Sequence, residues 1–157
     1  MKKNILIQTT LLLIISIITS CGTIKHKDIT GEEEIKEVFN KNKYQDTEDV
    51  FYVFATGEHG DESEARLFNY EDARAQFNVK AAALVETAMQ KDVSRSLRNK
   101  VGAMSIEAKR TVISKAAQSY MLEVEGKLFY TQDRGTYIYR SVYKLDVEKV
   151  ISVLTDY

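Results

Sequence analysis

The chain has no proline, one cysteine and two histidines among its 157 residues, and its apolar stretches are short. Without proline, rigid proline-rich spacers between modules are excluded. A single thiol cannot close an internal disulfide, and outside the cytosol an unpaired cysteine is usually avoided unless it serves a purpose. The histidines, His26 in the tether and His59 in a turn, read as surface residues rather than metal ligands. A zinc centre needs three or four converging ligands, and His59 with Asp61, Glu62 and Glu64 is the one local cluster, so no metal is expected. Charge of one sign is equally scarce, with 22 Lys and Arg against 23 Asp and Glu and a net charge of −1. Losing Lys2 and Lys3 with a leader would take this from −1 to −3. A mildly acidic protein lacks the basic surface that neutralises phosphates, which excludes nucleic acid as a partner.

Apolar residues make up 44% of the chain and charged residues 29%, the balance of a folded domain rather than a disordered one. The length allows one core. Most of the aromatics are tyrosine, with nine Tyr against six Phe.

The lone cysteine closes a leader. Lys2 and Lys3 form a positive start, and residues 5–18 are mostly apolar, interrupted by Gln8, Thr9, Thr10 and Ser16. This is the pattern of a secretory signal. The uninterrupted run, residues 11–15, is far short of the roughly 20 apolar residues that span a bilayer. The segment Ile18-Thr19-Ser20-Cys21 resembles the lipobox of bacterial lipoproteins: a branched apolar residue, two small residues and a cysteine. The resemblance implies cleavage between Ser20 and Cys21, a diacylglycerol on the Cys21 thiol and acylation of the new amino terminus. The membrane would then be a partner through N-terminal acyl chains, each buried methylene contributing about 0.8 kcal/mol. Gly22, where an aspartate resembles an inner-membrane retention signal, favours the outer membrane.

Residues 1–20 are thus read as signal peptide, 21–48 as a tether and 49–157 as a single α+β domain. Within the tether, Thr30 and Glu33 form a capping box before Ile35, Val38 and Phe39, which predicts a short amphipathic helix. Residues 40–48 read as a loop. Val50-Phe51-Tyr52-Val53-Phe54-Ala55 is apolar on both faces and is expected as a central strand. A turn over residues 57–61 follows. Asp61 with Glu64 and Asn69 with Asp72 both look like helix starts, leaving a start near 62 or near 70. The helix is expected to run to about Arg98 with Ala73, Phe77, Ala81, Leu84 and Ala88 inward, and to end in Lys91, Arg95, Arg98 and Lys100. Gly57-Glu58-His59-Gly60 lacks the pattern of a phosphate-binding loop, and no cofactor is expected.

Ser105 can cap a second helix with Ile106, Val112, Ile113, Ala116 and Ala117 on its apolar side. From Tyr120 the period becomes two, which predicts a hairpin turning at Gln132-Asp133-Arg134-Gly135. A four-residue loop sets Tyr130 opposite Tyr137, Leu128 opposite Tyr139, Gly126 opposite Ser141 and Val124 opposite Tyr143. It makes the apolar faces coincide, whereas a three-residue loop sets Leu128 against Arg140. Glu123 and Glu125 are then expected on the solvent face. Val147, Val150, Ile151 and Leu154 predict a short terminal helix. The expected fold is α+β, an antiparallel sheet of about three strands with helices on one face.

The order of elements, with Ala55-Thr56-Gly57 closing the first strand, the helix pattern around Ala73, Phe77, Ala81 and Leu84, and the closing strand over residues 137–146, resembles small bacterial envelope lipoproteins of the LPP-twenty type. The resemblance implies an accessory or structural envelope role and brings no catalytic residues. Partners would be envelope proteins or a second copy of the chain. No nucleophile stands beside a base in a recognisable motif, so no enzyme is expected. The other reading is a binding module, in which Tyr130, Tyr137, Tyr139 and Tyr143 present an aromatic surface to a cell-wall glycan or small apolar ligand.

Overall fold

The computed structural model describes residues 38–131 and 134–157. The leader with Ser20 and Cys21, residues 22–37 with most of the expected amphipathic helix, and Gln132 and Asp133 of the turn lie outside them. In order, the chain forms β1 (Val50–His59), α1 (Glu62–Val79), α2 (Ala81–Gln90), α3 (Arg95–Gly102), α4 (Ile106–Tyr120), β2 (Leu122–Thr131), β3 (Thr136–Asp146) and α5 (Val147–Asp156). The fold is α+β. Its sheet is antiparallel in the order β1-β3-β2, with the helices against one face.

The first strand corrects one expectation: β1 lies at an edge, and β3 is central. Both faces of β1 are apolar because both are covered. Phe51, Val53 and Ala55 enter the main core, while Tyr52 and Phe54 meet Phe39, Tyr44 and Val142 on the opposite face. Residues 40–48, read as a loop, contain the short turn Lys41–Lys43 and carry the buried Tyr44 onto the sheet.

The outward edge of β1 is closed by side chains. Asp72 accepts from the Thr56 N–H (2.9 Å), Gln76 donates to the Phe54 carbonyl (2.8 Å) and Lys80 donates to the Tyr52 carbonyl (2.8 Å). Asp46 accepts from the Tyr52 N–H at 2.8 Å. The spacing explains the fit: four helical residues rise about 6 Å and two strand residues about 6.6 Å, so 72, 76 and 80 keep step with 56, 54 and 52. Asp72 and Gln76 of α1, Lys80 at its C-cap and Asp46 thereby satisfy backbone groups that would otherwise template another strand.

Asp61 caps α1, accepting from the Ser63 and Glu64 N–H groups, so the helix starts near 62 and Asn69 is an interior residue. The expected single helix to Arg98 is three. It breaks at Lys80, whose ammonium is held by the Tyr52 carbonyl and Asp46, and again before Ser94, whose hydroxyl caps α3 by accepting from the Leu97 N–H. The cations at 91–100 therefore do not crown one helix end. Lys91 pairs with Asp49 (2.8 Å), and Arg98 donates to the Lys91 carbonyl. Ser105 caps α4 as expected, but Ile106 is exposed rather than inward. Phe77, Leu84, Ile113, Leu145 and Leu154 fill the core, and α5 packs on α2 and α4.

Candidate functional site

The hairpin register places the tyrosines. Thr131 pairs with Thr136, Tyr130 with Tyr137, Leu128 with Tyr139 and Gly126 with Ser141, as the four-residue loop requires. Gly135 takes the left-handed conformation, φ 61°, that glycine adopts without strain. The expected pairing of Val124 with Tyr143 does not form, because a β-bulge lies between Glu123 and Glu125 and Glu123 stands opposite Tyr143. An extra residue on one strand shifts every side chain beyond it to the other face.

That shift builds the site. Glu123, expected on the solvent face, lies on the tyrosine face while remaining exposed, and accepts from the Tyr139 hydroxyl (2.5 Å) and the Tyr143 hydroxyl (3.2 Å). Gly126 leaves the room, since a Cβ there would lie 2.1 Å from the Tyr139 Oη and 2.4 Å from the Glu123 Oε1. The Arg66 guanidinium lies over the Tyr139 ring at 4.2 Å and is held by Glu62, a cation–π arrangement. The Tyr70 ring meets Tyr143 edge-on, centroids 6.3 Å apart. Beneath them the buried Asn69 donates to the Tyr139 carbonyl (3.1 Å) and accepts from the Ser141 hydroxyl (2.6 Å). Glu125 points to the opposite face and accepts from the Tyr44 hydroxyl.

The four tyrosines share one face without forming one exposed surface. Tyr139 and Tyr143 are only 5% and 6% exposed. Tyr130 and Tyr137 are half-buried, their rings in tilted contact with centroids 4.8 Å apart near the turn. The sequence reading missed Glu123, Asn69 and Arg66. A glycine between two charged residues in a strand is the one signal of irregularity near the bulge.

Burial pushes the Tyr143 hydroxyl well above the ordinary tyrosine range, and burial followed by the Glu123 hydrogen bond raises Tyr139. These hydroxyls are donors locked onto a carboxylate, the reverse of what proton abstraction at neutral pH requires. With folded-state pKa values above the unfolded value, the stabilisation is complete below about pH 10 and is lost as pH rises beyond it. A spectrophotometric titration should show a late-ionising class of tyrosines whose ionisation accompanies loss of near-UV circular dichroism, reduced by one in Tyr143→Phe. Nine tyrosines ionising together with the fold intact would contradict the burial.

The acidic residues after β1 are structural: Asp61 caps α1, and the His59 Nδ1 accepts from the Asp61 N–H (3.1 Å) while its ring lies edge-on to Phe68. Among the described residues no three His, Cys, Asp or Glu side chains converge on a metal position, and no helix is long and apolar enough to cross a membrane. The chain matches no family model, no curated protein and no solved structure. The tyrosine–glutamate cluster is therefore interpreted on its geometry alone. It ties the bulged start of β2 to β3 and to α1.

Proposed function

We propose that the protein is anchored by lipid at Cys21 to the bacterial cell envelope, on the outer membrane, and plays a non-enzymatic structural, assembly or protein-interaction role like that implied by its resemblance to the LPP-twenty lipoproteins. The observation that carries the reading is the complete leader pattern: Lys2 and Lys3, the apolar residues 5–18, and Ile18-Thr19-Ser20-Cys21. The domain supports it in a second way. Its most distinctive polar cluster spends its hydroxyls and carboxylate on one another, which suits a fixed surface better than turnover.

A second reading, a site for a cell-wall glycan or small apolar ligand, draws on the half-buried Tyr130 and Tyr137 pair. The burial of Tyr139 and Tyr143 weighs against a four-ring platform. Metabolic lipid labelling tests the anchor: the wild-type chain is expected to take up label and Cys21→Ala to take up none. Equal labelling of the two would overturn it.

A further inference from the structure

The two edges of the sheet are built differently. The β1 edge is closed by Asp46, Asp72, Gln76 and Lys80, which bond its outward backbone groups. On β2, at the other edge, no side chain among the described residues bonds the backbone of residues 122–129. Among the described residues this edge also carries exposed apolar side chains between its charges. Leu122 is 53% exposed, and Val124 and Leu128 are 39% and 37% exposed. An edge with unpaired backbone groups and exposed apolar side chains is a template for strand addition.

The sequence of the edge selects what can pair with it. Val124-Glu125-Gly126-Lys127-Leu128 reads nearly the same in both directions once charge is inverted. Laid antiparallel on a second copy with Gly126 opposite Gly126, it sets Glu125 against Lys127 twice. Registers one pairing step to either side lose this: centring on Lys127 opposes two lysines, and centring on Glu125 opposes two glutamates. Opposite charges directly across an antiparallel pair attract, and like charges repel. Glu125 and Lys127 share one face of β2, with Lys127 Nζ 3.7 Å from Glu125 Oε1. Glu125 also accepts from the Tyr44 hydroxyl and pairs with Lys43, and Lys127 donates to the Val38 carbonyl, so pairing two copies adds a cross-strand partner to each and assembles an alternating quartet of charges. The contact is self-complementary about a two-fold axis, as a closed dimer requires.

We propose that β2 is the docking edge for a second copy of this chain, joining two sheets into one six-stranded sheet centred on Gly126. The inference rests on the assembly role proposed above and names its partner. The test is amine-reactive crosslinking of the full chain in native membranes. Wild type should give a homodimer band. Glu125→Lys and Lys127→Glu should each lower it by about tenfold or more, and the double swap Glu125→Lys/Lys127→Glu should restore it to within about twofold, since it recreates the complementary pairs. Circular dichroism of each variant separates lost pairing from lost folding, and Leu128→Asp, outside the quartet, should also abolish the band. A homodimer indifferent to all four variants overturns the edge assignment. Crosslinks only to other envelope proteins overturn self-pairing while the assembly role stands, and an absence of any crosslink removes both.

Discussion

Gly57→Ala is expected to lower the stability of the domain by about 3 kcal/mol or more, at the upper end of overpacking effects. A Cβ at this position would lie 2.0 Å from the Ala65 carbonyl oxygen and 2.4 Å from the Asn69 nitrogen. Both are backbone atoms of α1, so no rotamer change relieves the overlap. The helix must lift from the strand, and the same helix carries Asp72 and Gln76, with Lys80 at its C-cap, along the β1 edge and Phe77 into the core. Urea denaturation monitored by circular dichroism should show the midpoint falling sharply. A midpoint within error of wild type would mean that α1 does not cross β1 at Gly57. Gly102 provides the control, because a Cβ there meets nothing within 4 Å and Gly102→Ala should be nearly neutral or slightly stabilising.

The second large effect is expected at Asn69, which is fully buried in α1 and bridges the Tyr139 carbonyl and the Ser141 hydroxyl. Asn69→Leu keeps a similar volume but strands both partners, each at a cost of about 1–3 kcal/mol. A combined loss of roughly 3 kcal/mol is expected, and Ser141→Ala in the Asn69→Leu background should recover part of it by removing one stranded hydroxyl. Strict additivity of the two substitutions in the same denaturation measurement would show that the bridge does not exist.

Several elements were legible in the sequence for identifiable reasons. The hairpin register followed because one face of the hairpin is apolar and a one-residue slip would set Leu128 against Arg140 and Val124 against Lys144. The start at Ser105 was legible as a cap, and Asp61 was one of two caps the sequence offered for α1; the inward stripe Ala73, Phe77, Ala81, Leu84 and Ala88 is buried throughout.

The departures share a cause. Periodicity reports burial but not what does the burying. β1 reads as central because Tyr52 and Phe54 are covered, yet they are covered by Phe39, from the expected amphipathic helix, and by Tyr44, from a segment whose sequence reads as a loop. The break at Lys80 falls within an apolar stripe that continues across it from Phe77 to Ala81 and Leu84, so the stripe alone predicts one helix there; the stripe ends at Ala88, before the second break at Ser94. Alternation likewise cannot register an inserted residue. The bulge at Glu123 turned an expected solvent carboxylate into the acceptor on which Tyr139 and Tyr143 close.

The central claim is an anchor on Cys21, and the mass of the amino-terminal peptide of the chain purified from native membranes tests it most directly. The account predicts a chain that begins at Cys21 and carries a diacylglyceryl thioether with an acylated amino terminus. An unmodified Cys21, or a mature chain that begins at any other residue, would contradict it.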